Sequence, residues 1–127
     1  MNDIVFWLYL FNLVFLILHE MDSAYWKEWE LFKLPFGISG FLILHIPLFF
    51  IALTGLFLVY EHLVAGYVIG VIMGIAGIFA FTIHQVFIRK GKEEFTTPIS
   101  QSILWLTLIF SVLLLIFEVI NVTKMTV

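Results

Sequence analysis

Four histidines, His19, His45, His62 and His84, stand in a chain that has no cysteine. Imidazole is a common metal ligand and titrates near neutral pH, so histidines that gather in space point to metal binding, haem ligation or proton transfer. Without cysteine there is neither thiolate ligation nor thiolate catalysis. Carboxylates lie close in sequence: Glu20 and Asp22 beside His19, and Glu28 and Glu94 nearby. Three imidazoles and a carboxylate suit zinc, iron or manganese, with a position left for water or substrate. His19-Glu20 is followed by Ser23, where the zinc-protease pattern His-Glu-x-x-His needs its second histidine, so that reading fails.

These residues must be positioned by elements built for lipid. The chain has 127 residues, 63% of them hydrophobic and 12% charged. A soluble domain is roughly half apolar and about a quarter charged. A mean hydropathy of +1.15 agrees, and spans of about 20 residues are expected. The formal charge of −3 and the lack of a basic block exclude a nucleic-acid partner. The first charge is Asp3 and no small-residue cleavage site follows the apolar run, so the first span reads as permanent.

The expected architecture is an all-α membrane protein, an antiparallel bundle of four transmembrane helices in a single domain over 1–127. The spans fall at about 4–26, 38–60, 63–88 and 99–122. Nothing between Ile4 and Leu34 breaks a helix, and Pro35 with Gly37 makes the first clear interruption. Pro47 predicts a kink in the second span. Lys27, Lys33, Arg89, Lys90 and Lys92 lie in the first and third loops, against Lys124 alone on the other side. The positive-inside rule then puts those loops in the cytoplasm and both termini outside a cell membrane.

Two faces stand out. In the third span Gly66, Gly70, Gly77, Ala80 and His84 share one side of a helix. Small residues four apart are the signature of close helix approach, within the bundle or against a second copy or a membrane partner. In the fourth span Ser100, Thr107, Ser111, Glu118 and Asn121 form a polar stripe at heptad-like spacing that should face the interior. Asn12 lies two turns before His19 on the same side of the first span.

Topology sorts the histidines. The end of the first span, the start of the second and the end of the third meet on one side, where His19, His45 and His84 lie; His62 lies on the other. At about 1.5 Å per residue, His45 is roughly 10 Å into its helix, His84 roughly 8 Å and His19 roughly 12 Å. The three are therefore expected to converge on a metal, with Asp22 as the acidic ligand and Glu20, Glu28 and Glu94 as alternates. Glu20 sits about 100° round the helix from His19 and could reach a different neighbour. Glu61, His62 and Glu118 form a second group at the outer end, read as an interfacial or interhelical pairing.

The strings His19-Glu20-Met21-Asp22, Glu28-Trp29-Glu30-Leu31-Phe32, His45-Ile46-Pro47-Leu48-Phe49 and Glu94-Phe95 resemble a family of small bacterial integral-membrane proteins catalogued only as a domain of unknown function. Its pattern is similar: His-Glu-x-Asp, Glu-Trp-x-Leu-Phe, His-x-Pro-Leu-Phe, a histidine in the third span, matched here by His84, and Glu-Phe before the last. The resemblance covers most of the chain, implies four spans, marks His19, His45 and His84, and adds Glu28 and Glu94 on the same side. It supplies no activity. A looser likeness to a membrane family with a His-x-x-Glu-Glu motif transfers nothing, because Asp22 and Ser23 stand at its two acid positions.

The leading functional expectation is an intramembrane metal site near the cytoplasmic side, acting by hydrolysis or oxidation on a lipid or other apolar substrate. A haem protein with two axial histidines and an electron-transfer role is the first alternative. A non-enzymatic partner subunit whose polar cluster only fixes helix packing is the second.

Overall fold

The computed structural model describes residues 2–127. It contains α1 (Asn2–Tyr25), the single turn α2 (Glu28–Leu31), α3 (Gly37–Tyr60), α4 (Val64–Arg89) and α5 (Pro98–Thr126). Four of these are long and apolar enough to cross a membrane, so the chain is an all-α four-helix membrane bundle. α5 packs on α4 and α1, and α3 packs on α4 and α1, which leaves α1 and α4 facing each other across the bundle axis. Helices suit this solvent because every backbone donor is satisfied within the segment.

α1 ends well before the interruption at Pro35 and Gly37. It stops at Tyr25, and Lys27 takes a left-handed backbone, φ 52°. That conformation disfavours a side chain and is tolerated where the surroundings compensate. Here the reversal lays α2 back over the end of the bundle, where Glu28 meets His84 at 3.2 Å and the Trp29 ring packs 5.5 Å from that of Phe41. α3 begins after another left-handed residue, Phe36, and is helical through Pro47. α5 starts at a signal visible in the sequence: Thr97 accepts a hydrogen bond from the Ser100 amide at 3.2 Å, and Pro98 takes the first helical position.

The apolar core, built on Val5, Tyr9, Leu13, Ala52, Val59 and Leu114, fills the end nearer the termini. The glycine face of α4 is buried at Gly66, Gly70, Gly74 and Gly77. Gly66 lies against the backbone at Leu58 and Val59, in the tight α3–α4 connection. Gly70 and Gly77 serve a more specific purpose, since a Cβ there would strike the side chains of Glu118 and Ser111. The small residues of α4 therefore seat the polar stripe of α5, whose Ser100, Thr107, Ser111, Glu118 and Asn121 are all buried. The glycine face is thus covered by this chain's own helix.

Candidate metal centre

His84 comes from the last turns of α4, on the same face as the glycines, and is 1% exposed. Its Nδ1 lies 2.7 Å from the Ala80 carbonyl. A carbonyl oxygen only accepts, so Nδ1 carries the hydrogen and donates it. That fixes the ring and turns Nε2 inward, 3.2 Å from Glu28 Oε1. The contact is off the axis that a hydrogen bond needs, and Nε2 has no hydrogen-bond partner. A metal-ligating histidine is commonly oriented in this way, one nitrogen donating to a carbonyl and the other left to coordinate.

His19 approaches from α1 across the axis. Its ring meets that of His84 edge to face, with centroids 4.6 Å apart. Ser23, one turn on, places its hydroxyl 3.5 Å from His19 Nε2. His19 Nδ1 is buried with no hydrogen-bond partner. Each of His19, Glu28 and His84 offers one donor atom within 4.8 Å of the other two, and the group could hold a metal ion. Zinc–nitrogen bonds of about 2.0–2.1 Å would draw the donors somewhat closer. Burial pushes the Glu28 carboxyl up, but its contacts with His84 and Ser23 outweigh this and hold it below the ordinary carboxylate range.

Two aromatic rings close the site. Phe95, 1% exposed, lies 4.2 Å from the His84 ring and 5.6 Å from that of His19, centre to centre. Phe32 lies 6.4 Å from His84. Phe95 holds this position with φ 67°, and Gln101 Nε2 donates to its carbonyl at 2.7 Å. An apolar lid strengthens the electrostatics beneath it by keeping water out.

The remaining candidates lie around this group. Asp22 is half-buried one turn from His19, and its Oδ2 is buried without a hydrogen-bond partner. His45 is not brought into the His19–His84 pair; its Nδ1 donates to the Phe41 carbonyl at 2.6 Å and its Nε2 meets Glu20 Oε2, also at 2.6 Å. The reason is angular: Glu20, about 100° from His19 on α1, faces α3 while His19 faces α4. Glu94 lines a surface crevice with Glu93, Glu30 and Lys27. Glu61 and His62 are exposed at the α3–α4 turn, whereas Glu118 is fully buried. Sequence reasoning passed over Phe95 as a lid. Phe95 was flagged only by its place in a motif string.

The Glu20–His45 pair borders two recesses. It sits at one end of a groove of about 280 Å³ along α1, α3 and α4, lined by Leu13, Leu16, Leu48 and Met73. The same pair lines a second crevice, of about 250 Å³, together with Glu28, Phe32 and Phe41. Leu48 and Ile72 on the groove walls are exposed at membrane level.

The profile of a family of unknown function (DUF6713) matches residues 5–121. Comparison with curated proteins and with solved structures found no match.

Proposed function

The chain belongs to the DUF6713 family, whose profile spans nearly all of it, and we propose that it is a membrane-embedded metal protein acting on an apolar, lipid-like substrate. One observation carries the reading. His84, with Nδ1 committed to the Ala80 carbonyl, presents Nε2 to a carboxylate oxygen at 3.2 Å without a hydrogen bond between them, and His19 stands beside both. Two imidazoles and a carboxylate are a donor set for zinc or ferrous iron, with manganese next. His19, His84 and Glu28 are the ligands, whereas Asp22, the acid expected from the sequence, stands outside this group, and the remaining position is left to water or substrate. The 4.6 Å contact between the two histidine rings supports a bare ion over haem, because a porphyrin needs a slot between its axial ligands.

A metal here would supply Lewis-acid polarisation of a carbonyl or phosphoryl oxygen. The chain's own residues supply the rest. The groove takes an acyl chain, since its walls are apolar and open to the bilayer. Its end at Glu20 and His45 brings the substrate's polar group to a pair that shares a proton between a carboxylate and an imidazole, the equipment of general acid–base catalysis. Phe95 and Phe32 keep water from the histidines. On the Lys and Arg count the centre lies on the cytoplasmic side with both termini opposite. A C-terminal reporter that works only in the cytoplasm should stay silent; activity there reverses the assignment.

Elemental analysis of protein purified without chelator tests the reading. The wild type should carry about one equivalent of a transition metal and show no Soret band. His84→Ala and His19→Ala should bind it at least about 100-fold more weakly, the upper end of what losing a ligand's supporting partner costs. A wild type that carries no metal and takes none up would sink the proposal and leave a structural polar cluster.

A further inference from the structure

The seam between α1, α4 and α5 carries a second set of polar groups, apart from the metal centre. At the end nearer the termini, Glu118 is fully buried and both its carboxyl oxygens lack a hydrogen-bond partner among the described residues. Toward the loops, Ser111 donates to Asn12 Oδ1 at 2.7 Å, and the Asn12 amide nitrogen is buried with no partner. The Thr107 hydroxyl is likewise buried and unpartnered. Ser100, hydrogen-bonded to Thr97 at 2.6 Å, ends the stripe on the side of His19 and His84. Along α5 the steps from Glu118 to Ser111, Thr107 and Ser100 are roughly 10, 6 and 10 Å.

A bare carboxylate in the bilayer interior is expensive, and its natural states there carry a bound proton or cation. A metal cation would need several converging oxygens. The hydroxyls of the two titratable groups that feel the charge of Glu118 are engaged elsewhere, Tyr9 donating to the Ala52 carbonyl at 2.7 Å and Tyr67 contacting His62 at 3.5 Å. A proton needs only one oxygen. Buried polar groups without protein partners are also where ordered water binds, and here they lie in one line.

We propose that this seam is a proton path, with Glu118 as the group that takes up and releases the proton. The Ser111, Asn12 and Thr107 groups hold the water that passes it toward the loop side. Each transfer moves one proton from oxygen to oxygen while the donor regains one from behind. No electrons move, and the net event is a proton crossing down its gradient. The path stands independently of the metal reading, which concerns different residues at the other end.

The full-length protein, reconstituted in liposomes enclosing a pH-sensitive dye and voltage-clamped with potassium and valinomycin, tests this. Wild-type vesicles should acidify at least tenfold faster than protein-free ones after an external acid jump. Glu118→Gln should return the rate to that of empty vesicles. Dicyclohexylcarbodiimide, which adds to protonated carboxyls in apolar surroundings, should label Glu118 and stop the wild-type flux, which guards against a variant that merely misfolds. Wild-type flux no greater than in empty vesicles overturns the proposal. So does full flux in Glu118→Gln, or in carbodiimide-labelled protein. Metal content read on the same samples separates the two ideas, because Glu118→Gln should keep its metal.

Discussion

Two buried carboxylates stand at opposite ends of one bundle under opposite conditions. Glu28 reaches back from a reversed turn to stand 3.2 Å from His84 Nε2, with His19 beside both. Glu118 lies fully buried on α5 in the space that a missing Cβ leaves at Gly70, with no hydrogen bond to either oxygen. The difference teaches what each is for. A paired acid among imidazoles is fixed in place and suited to hold an ion, whereas an unpaired acid in apolar surroundings is stable only while it carries something and can therefore exchange it. Buried polar groups without partners are costly enough that each needs a reason.

The largest effect should come from filling the space beside Glu118. Gly70→Leu should destabilise the bundle by about 3 kcal/mol or more, since overpacking a tight contact has no cheap relief. Mixed-detergent unfolding measures it. In a Glu118→Ala background Gly70→Ala should cost measurably less than in the wild type, and strict additivity would mean that the two residues do not share this space.

Next come the carboxylates themselves. Glu28→Ala should cost roughly 3 kcal/mol, because it removes the charge that faces His84 in a mostly buried site, and the metal should be lost with it. Glu118→Gln should change stability by less than about 1 kcal/mol, since no native hydrogen bond is broken. Equal costs at the two positions would erase the contrast.

A smaller effect is the acid limb of stability. The Glu28 carboxyl is held below its ordinary value of 4.5. Its contribution is therefore fully present above that value and is lost as pH falls through the lowered one. Melting temperatures in detergent between about pH 7 and pH 3 should show a decline at the acid end that Glu28→Gln flattens. An unchanged acid limb would mean that the pairing adds nothing.

The smallest expected effect is a control. His62→Ala, exposed at the α3–α4 turn, should leave metal content unaltered. Loss of metal there would place the centre at the wrong end of the molecule.

The sequence by itself determined the solvent, the helices and which faces turn inward. Apolar runs of membrane length admit few other folds, and one-dimensional periodicity is enough to put Gly70, His84, Ser111 and Glu118 in the interior. Depth along the helices was legible too, because rise per residue is constant. Which histidine meets which acid was decided only in three dimensions. His45 and His84 lie at similar depths, yet one pairs with Glu20 and the other with Glu28, because azimuth about α1 sends His19 and Glu20 to different neighbours. The reversal at Lys27 that delivers Glu28 uses a left-handed lysine, which no local rule forecasts; the contacts of α2 with α3 and α4 sustain it. The lid followed the same logic. Phe95 covers the histidines from a left-handed position in the last loop, where its packing against the rings of His19 and His84 is a tertiary contact with no periodic trace in the sequence.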